Sequence, residues 1–138
     1  MAIDTTELLH KLSTAKDIKF FLNEYEQEFR SISFSEFLND IIYDKELTPA
    51  EVAKKSGQGE YVYKVIRGER KPSRDVIIAI AVGMTLSLDE TQLLLRIAKW
   101  AMLDPRDKRD SIIIYYIKEK HTIDQLNDLL FDMEQQTL

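Results

Sequence analysis

Apolar residues in the first part of the chain fall on one helical face. Leu8, Leu12, Ala15, Ile18, Leu22, Tyr25 and Phe29 are spaced by 4, 3, 3, 4, 3 and 4 residues, which draws a single stripe along a helix. Ser13 and Thr14 are candidate caps that divide the stripe into a hairpin, so one long helix and two shorter ones both fit residues 5–29.

Further on, capping signals punctuate the pattern. Ser33 and Glu36 have capping-box spacing, and Phe34, Phe37, Leu38, Ile41 and Ile42 follow as a buried stripe. Thr48-Pro49-Ala50-Glu51 is a second box with proline in the first turn, where its missing N–H costs nothing. Ser56-Gly57-Gln58-Gly59 breaks that helix. A short helix from about Glu60 to Arg67 comes next, stopped by Gly68. Pro72-Ser73 caps a helix from Arg74 to about Val82, which Gly83 is expected to close. Ser87 and Glu90 open another, expected to run through Trp100 to about Met102.

Asp104-Pro105-Arg106-Asp107 reads as a cap with proline in the first turn. The apolar run Ile112 to Ile117 suits a strand by propensity. A helix is preferred, because a helix cap precedes it and no partner strand exists elsewhere. Thr122 and Gln125 form a fourth box, followed by a stripe of Ile123, Leu126, Leu130 and Met133. The fold class that follows is all-α.

Composition narrows the function. The chain has 138 residues, no Cys, 4 Gly and 3 Pro, which excludes disulfides and thiolate metal sites and argues against a turn-rich β fold. No apolar run is long enough for a membrane span, and no signal peptide is evident at the N-terminus, so a cytoplasmic protein is expected. The net charge of -5 disfavours a polyanionic partner until its distribution is considered. From Lys54 to Arg74 there are seven cations against two anions, which leaves -10 on the remaining 117 residues. One basic face on an acidic protein can approach a polyanion.

Two short helices joined by a glycine-containing turn have the arrangement of a DNA-binding helix-turn-helix. The stretches LTPAEVAKKSG, VYKVIRGERKPS and IAIAVGMTLSLDE resemble the lambda-repressor/Cro-like (XRE) helix-turn-helix family over about residues 33–101. The resemblance implies a lambda-repressor-like five-helix DNA-binding bundle at 33–103. It is flanked by an N-terminal helical arm at 1–32 and a C-terminal helical extension at 104–138.

It also implies roles. Val52, Ala53, Val62 and Val65 face the core, and Gly59, Glu60 and Lys64 take base-facing positions, flanked by Tyr61 and Tyr63. Arg67, Arg70 and Lys71 meet phosphates, and Thr48 lies at the phosphate-favouring start of the first helix. Gln58 occupies the turn, where the family commonly has Val or Leu. The turn is one residue shorter than the family's usual spacing, and Pro49 replaces a frequent Gln.

Other residues have plainer readings. His10 and His121 are far apart in sequence and suggest no metal site. Arg74-Asp75 reads as a local ion pair or helix-cap arrangement, Arg106, Lys108 and Arg109 as a self-neutralised helix start, and Trp100 as core. No acid/base constellation, phosphate loop, cofactor or small-molecule site is evident, so an enzyme is not expected. The expected partners are double-stranded DNA and a second copy of the chain in a homodimer. The alternative is an antitoxin-like or co-regulator protein-interaction module that keeps the scaffold without reading bases.

Overall fold

Side-chain hydroxyls set where most helices begin. The hydroxyls of Ser33, Thr48, Ser73, Ser87 and Thr122 each accept the backbone N–H three residues ahead, which satisfies a donor the helix itself leaves unpaired. At Thr48, Ser87 and Thr122 the reciprocal bond from Glu51, Glu90 and Gln125 completes a capping box.

The computed structural model describes residues 5–14, 18 and 33–138. Among these the chain forms eight helices and no strand. They are α1 (Thr5–Thr14), α2 (Phe34–Asp44), α3 (Pro49–Ser56), α4 (Tyr61–Ile66), α5 (Arg74–Gly83), α6 (Leu88–Ile97), α7 (Lys108–Glu119) and α8 (Ile123–Asp132). The run at 112–117 is helical, as expected, although its cap is not the one expected. The choice between one and two helices over residues 5–29 lies mostly outside the described residues. Within α1, Ser13 and Thr14 donate back to the carbonyls of Leu9 and His10.

The core centres on α5. Ile77, Ile78, Ala79, Ile80, Ala81 and Val82 are buried in succession, so this helix is enclosed on all sides. Helices α3, α6 and α8 pack around it, α2 bridges α4 and α6, and α1 lies on α2 and α6 through Leu8 and Leu12. The C-terminal hairpin α7–α8 adds Ile113, Ile117, Ile123, Leu126 and Leu130 to the same core. No described helix is long and apolar enough to cross a membrane.

Gly83 departs from its expected role. It is the last residue of α5 and has no left-handed backbone. A Cβ there would stand 2.6 Å from the Ser56 nitrogen and 2.7 Å from the Lys55 carbonyl carbon. Its purpose is the close approach of α5 to the end of α3, and the chain turns away two residues later at Thr85, with φ of 57°.

Two other boundaries move. Helix α6 ends at Ile97 rather than near Met102, because Lys99 adopts a left-handed backbone and the Trp100 N–H reaches back to the Leu95 carbonyl. Helix α7 is capped by Asp107, whose carboxylate accepts from the Asp110 N–H. Asp104 instead accepts from the Arg106 N–H within the preceding turn, so Pro105 sits in the turn and not in the helix. That backbone hydrogen bond is the largest influence holding the Asp104 carboxyl below its ordinary value.

Candidate nucleic-acid interface

The turn between α3 and α4 is built from two glycines in left-handed backbone, Gly57 at φ 72° and Gly59 at φ 62°. Gly57 caps α3, which other residues do only at a cost of about 1–2 kcal/mol. The intervening Gln58 is half-buried, and its N–H reaches the Ser56 hydroxyl. The Val62 N–H then bonds the Gly59 carbonyl and starts α4. Ile123 of α8 lies against Gly57, so the C-terminal hairpin supports this turn directly.

Periodicity divides α4 into two faces. Val62, Val65 and Ile66 are buried, and Tyr63 is half-buried against the core. Glu60, Tyr61, Lys64 and Arg67 are exposed at the i, i+1, i+4 and i+7 positions of one outward face. Tyr63, expected beside the base-facing residues, belongs to the inner side. On α3, Val52 and Ala53 are buried as expected.

Thr48 is occupied locally. Its hydroxyl accepts the Glu51 N–H at 3.2 Å and lies 3.1 Å from Glu51 Oε1, which also accepts the Thr48 N–H at 3.1 Å. With Pro49 lacking an N–H, a carboxylate already holds the start of α3 where a phosphate was expected.

Beyond α4 runs a basic loop from Gly68 to Ser73. Arg70 and Lys71 are exposed on it, while Pro72 is buried. The loop backbone is anchored at neighbouring points. The Glu69 N–H bonds the Lys64 carbonyl at 2.9 Å, the Tyr61 hydroxyl donates to the Lys71 carbonyl at 3.3 Å, and the Trp100 indole N–H donates to the Pro72 carbonyl at 3.0 Å. Trp100 is thus not a core residue: it is 44% exposed and lies against the loop from another part of the chain.

Two of the seven cations are engaged within the protein. Arg67 donates through Nε and Nη2 to Glu69 Oε2, at 3.0 and 2.8 Å. The hydrogen bond from Arg67 is the chief reason the Glu69 carboxyl lies below its ordinary value, and the same bond raises the Arg67 guanidinium. Arg74 does not pair with Asp75. It reaches Asp110 in α7 and also donates to the carbonyls of Ala101 and Met102. Asp75 is held instead by Arg109 at 2.9 and 3.1 Å, so Arg109 is no member of a self-neutralised cluster. Lys54, Lys55, Lys64, Arg70 and Lys71 form no ion pair among the described residues.

The arrangement can hold a polyanion along Lys64, Arg70 and Lys71, with Arg67 available in exchange for Glu69. Sequence reasoning overlooked Trp100 and Glu69 as parts of this surface. No signal near Trp100 betrays a partner 28 residues away, whereas the i, i+2 spacing of Arg67 and Glu69 was open to inspection. Among the described residues no group of His, Asp and Glu could hold a metal ion. No family model, curated protein or solved structure matches this chain.

Proposed function

We propose that this protein is a sequence-specific, double-stranded-DNA-binding transcriptional regulator of the helix-turn-helix type, resembling the lambda-repressor/Cro-like (XRE) family and acting in the cytoplasm. One observation carries the reading. The outward face of α4 exposes Tyr61, Lys64 and Arg67, and the loop that follows exposes Arg70 and Lys71, while Val62, Val65 and Ile66 of α4 are buried. In this reading α4 enters the major groove, Lys64 reads base edges, and Arg70 and Lys71 hold the phosphate backbone. Glu60 accepts from a cytosine amino group. A homodimer places two such helices on successive half-sites, with exposed Tyr115, Phe131 and Met133 of the C-terminal hairpin as available apolar surface.

The test is binding of duplex DNA at rising salt, with Arg67→Ala and Arg70→Ala beside the wild type. Affinity should fall steeply with salt, with the slope reduced by about 0.9 for each phosphate contact removed. Selection from a random pool then reveals the preferred site. Binding that is absent, or indifferent to salt, would sink the proposal. The acidic residues on the same surface, Glu60 and the Arg67-bound Glu69, favour the second reading, a protein-interaction module on the same scaffold. Dimerisation is checked by sedimentation at micromolar concentration.

A further inference from the structure

We infer that Trp100 is a positioning residue for the DNA-backbone loop: by holding the Pro72 carbonyl it presents Arg70 and Lys71 as one preformed phosphate clamp. The inference rests on the DNA-binding reading above.

The indole is well placed to act as a fixed prop. Its own backbone is tied to the end of α6 by the Trp100 N–H to Leu95 carbonyl bond at 2.9 Å. The residues that follow it are tied as well. The Ala101 carbonyl accepts from Arg74 Nε at 2.8 Å, and the Met102 carbonyl from Arg74 Nη2 at 3.2 Å. Leu103 exchanges two bonds with the Gln92 side chain, at 2.7 and 2.9 Å. The segment after α6 is therefore clamped on both sides of the indole, and its N–H reaches outward to the loop at 3.0 Å.

The loop, by contrast, has no regular structure between α4 and α5. Its two cations lie between the Glu69 N–H, which is held to α4, and the Pro72 carbonyl, which is held to Trp100. Tyr61 holds the Lys71 carbonyl in between. A loop already ordered in this way loses less conformational freedom when phosphates bind, so more of each charge contact appears as affinity. Freed at Pro72, the backbone bearing Arg70 and Lys71 fluctuates before it binds.

The experiment measures binding of the full chain to a labelled random-sequence duplex across a range of salt. It compares the wild type, Trp100→Phe, the pair Arg70→Ala with Lys71→Ala, and the three substitutions together. Phe keeps an aromatic ring and removes the N–H donor together with the five-membered ring of the indole.

The expected result is an affinity loss of about three- to tenfold in Trp100→Phe, the size of one lost hydrogen bond. The salt slope should become shallower, and the substitution should have no further effect where Arg70 and Lys71 are already alanine. An equal loss in both backgrounds, or binding by Trp100→Phe indistinguishable from wild type, overturns the positioning role while leaving DNA binding intact. A wild type that binds no duplex overturns the DNA reading and this inference with it.

Discussion

Arg74, at the start of α5, and Asp110, in the first turn of α7, form a bidentate ion pair across 36 residues of sequence, with Nη1 3.2 Å from Oδ1 and Nη2 2.8 Å from Oδ2. The neighbouring residue on each helix repeats the arrangement with the charges exchanged, since Asp75, after Arg74, receives Arg109, before Asp110. Two adjacent crossed pairs thus bind the helix that follows the basic loop to the C-terminal hairpin. The Arg74 and Asp110 side chains are only 23% and 8% exposed, so solvent screens this pair weakly. Removing one partner strands the other: Arg74→Ala leaves the Asp110 carboxylate with the nearby Asp104 N–H as its remaining donor. The expected cost is about 3 kcal/mol, the lower end of the range for breaking a buried pair. Urea unfolding measures it. Arg74→Ala combined with Asp110→Ala should cost less than the sum of the single changes, because the stranded charge is gone.

The close approach of α5 to α3 leaves Gly83 with less room for a side chain than any other glycine of the chain. Alanine in a helix ordinarily gains about 1 kcal/mol over glycine. At Gly83 the added carbon meets the backbone of Lys55 and Ser56 at 2.6 to 2.9 Å, and backbone cannot swing aside as a side chain can. Helix α3 must shift, at a cost of about 1–3 kcal/mol beyond the propensity gain. Gly83→Ala should therefore lower the urea midpoint. It should also weaken DNA binding more than a surface change of equal destabilisation, because α3 carries the turn into α4.

Thr85 is strained in the opposite sense. It follows α5 with φ of 57°, a backbone region in which a β-branched residue is rare. The strain is maintained by the bonds it completes, from the Thr85 N–H to Val82 and from the Leu86 N–H to Ala81, both at 3.0 Å, and by burial of Leu86. The Thr85 side chain itself is exposed. Glycine relieves the strain and keeps the bonds, so Thr85→Gly should stabilise the protein by about 0.5–1 kcal/mol after its entropic cost is deducted. Thermal unfolding checks it: the midpoint should rise by about 2–4 °C for each kcal/mol.

These three sites explain what could be read in the sequence and what could not. Most helix starts were legible because a cap is a local device: Ser73 and the Val76 N–H are three residues apart and need no other part of the chain, whereas α7 starts at the cap Asp107 and not at Asp104. Helix ends were less so. The chain turns with a left-handed residue after α2, α5, α6, α7 and α8, at Glu46, Thr85, Lys99, Lys120 and Glu134, and none of these is the glycine that would have announced it. The helical run after Ser87 was accordingly extended beyond Ile97. At the site, the inward valines of α4 were implied by the family resemblance, and they are buried. The engagement of Arg74 by Asp110, and of the Pro72 carbonyl by Trp100, did not follow, because partners 36 and 28 residues apart leave no pattern in the chain between them.

Glu69 provides the sharpest test of how the basic surface works. Its carboxylate holds Arg67 in the way a phosphate would, so under the proposed DNA-binding function DNA has to displace it before Arg67 can contribute. Acidification is a poor means of releasing Arg67. The Glu69 carboxyl titrates below its ordinary value because of the hydrogen bond from Arg67, so the pair is intact throughout the neutral range and is lost only as pH falls through that lowered value. Substitution is cleaner. The Arg67 and Glu69 side chains are more than half exposed, so Glu69→Gln should leave the thermal midpoint close to wild type. In DNA binding it should raise affinity and steepen the salt slope by up to about 0.9, the increment for one further phosphate contact. Removing an anion from a basic surface strengthens DNA binding in any mechanism, so the informative comparison is made with Arg67→Ala present. If Glu69 acts by occupying Arg67, most of the gain disappears in that background. If it acts only through net charge, the gain persists undiminished, and the carboxylate is a bystander.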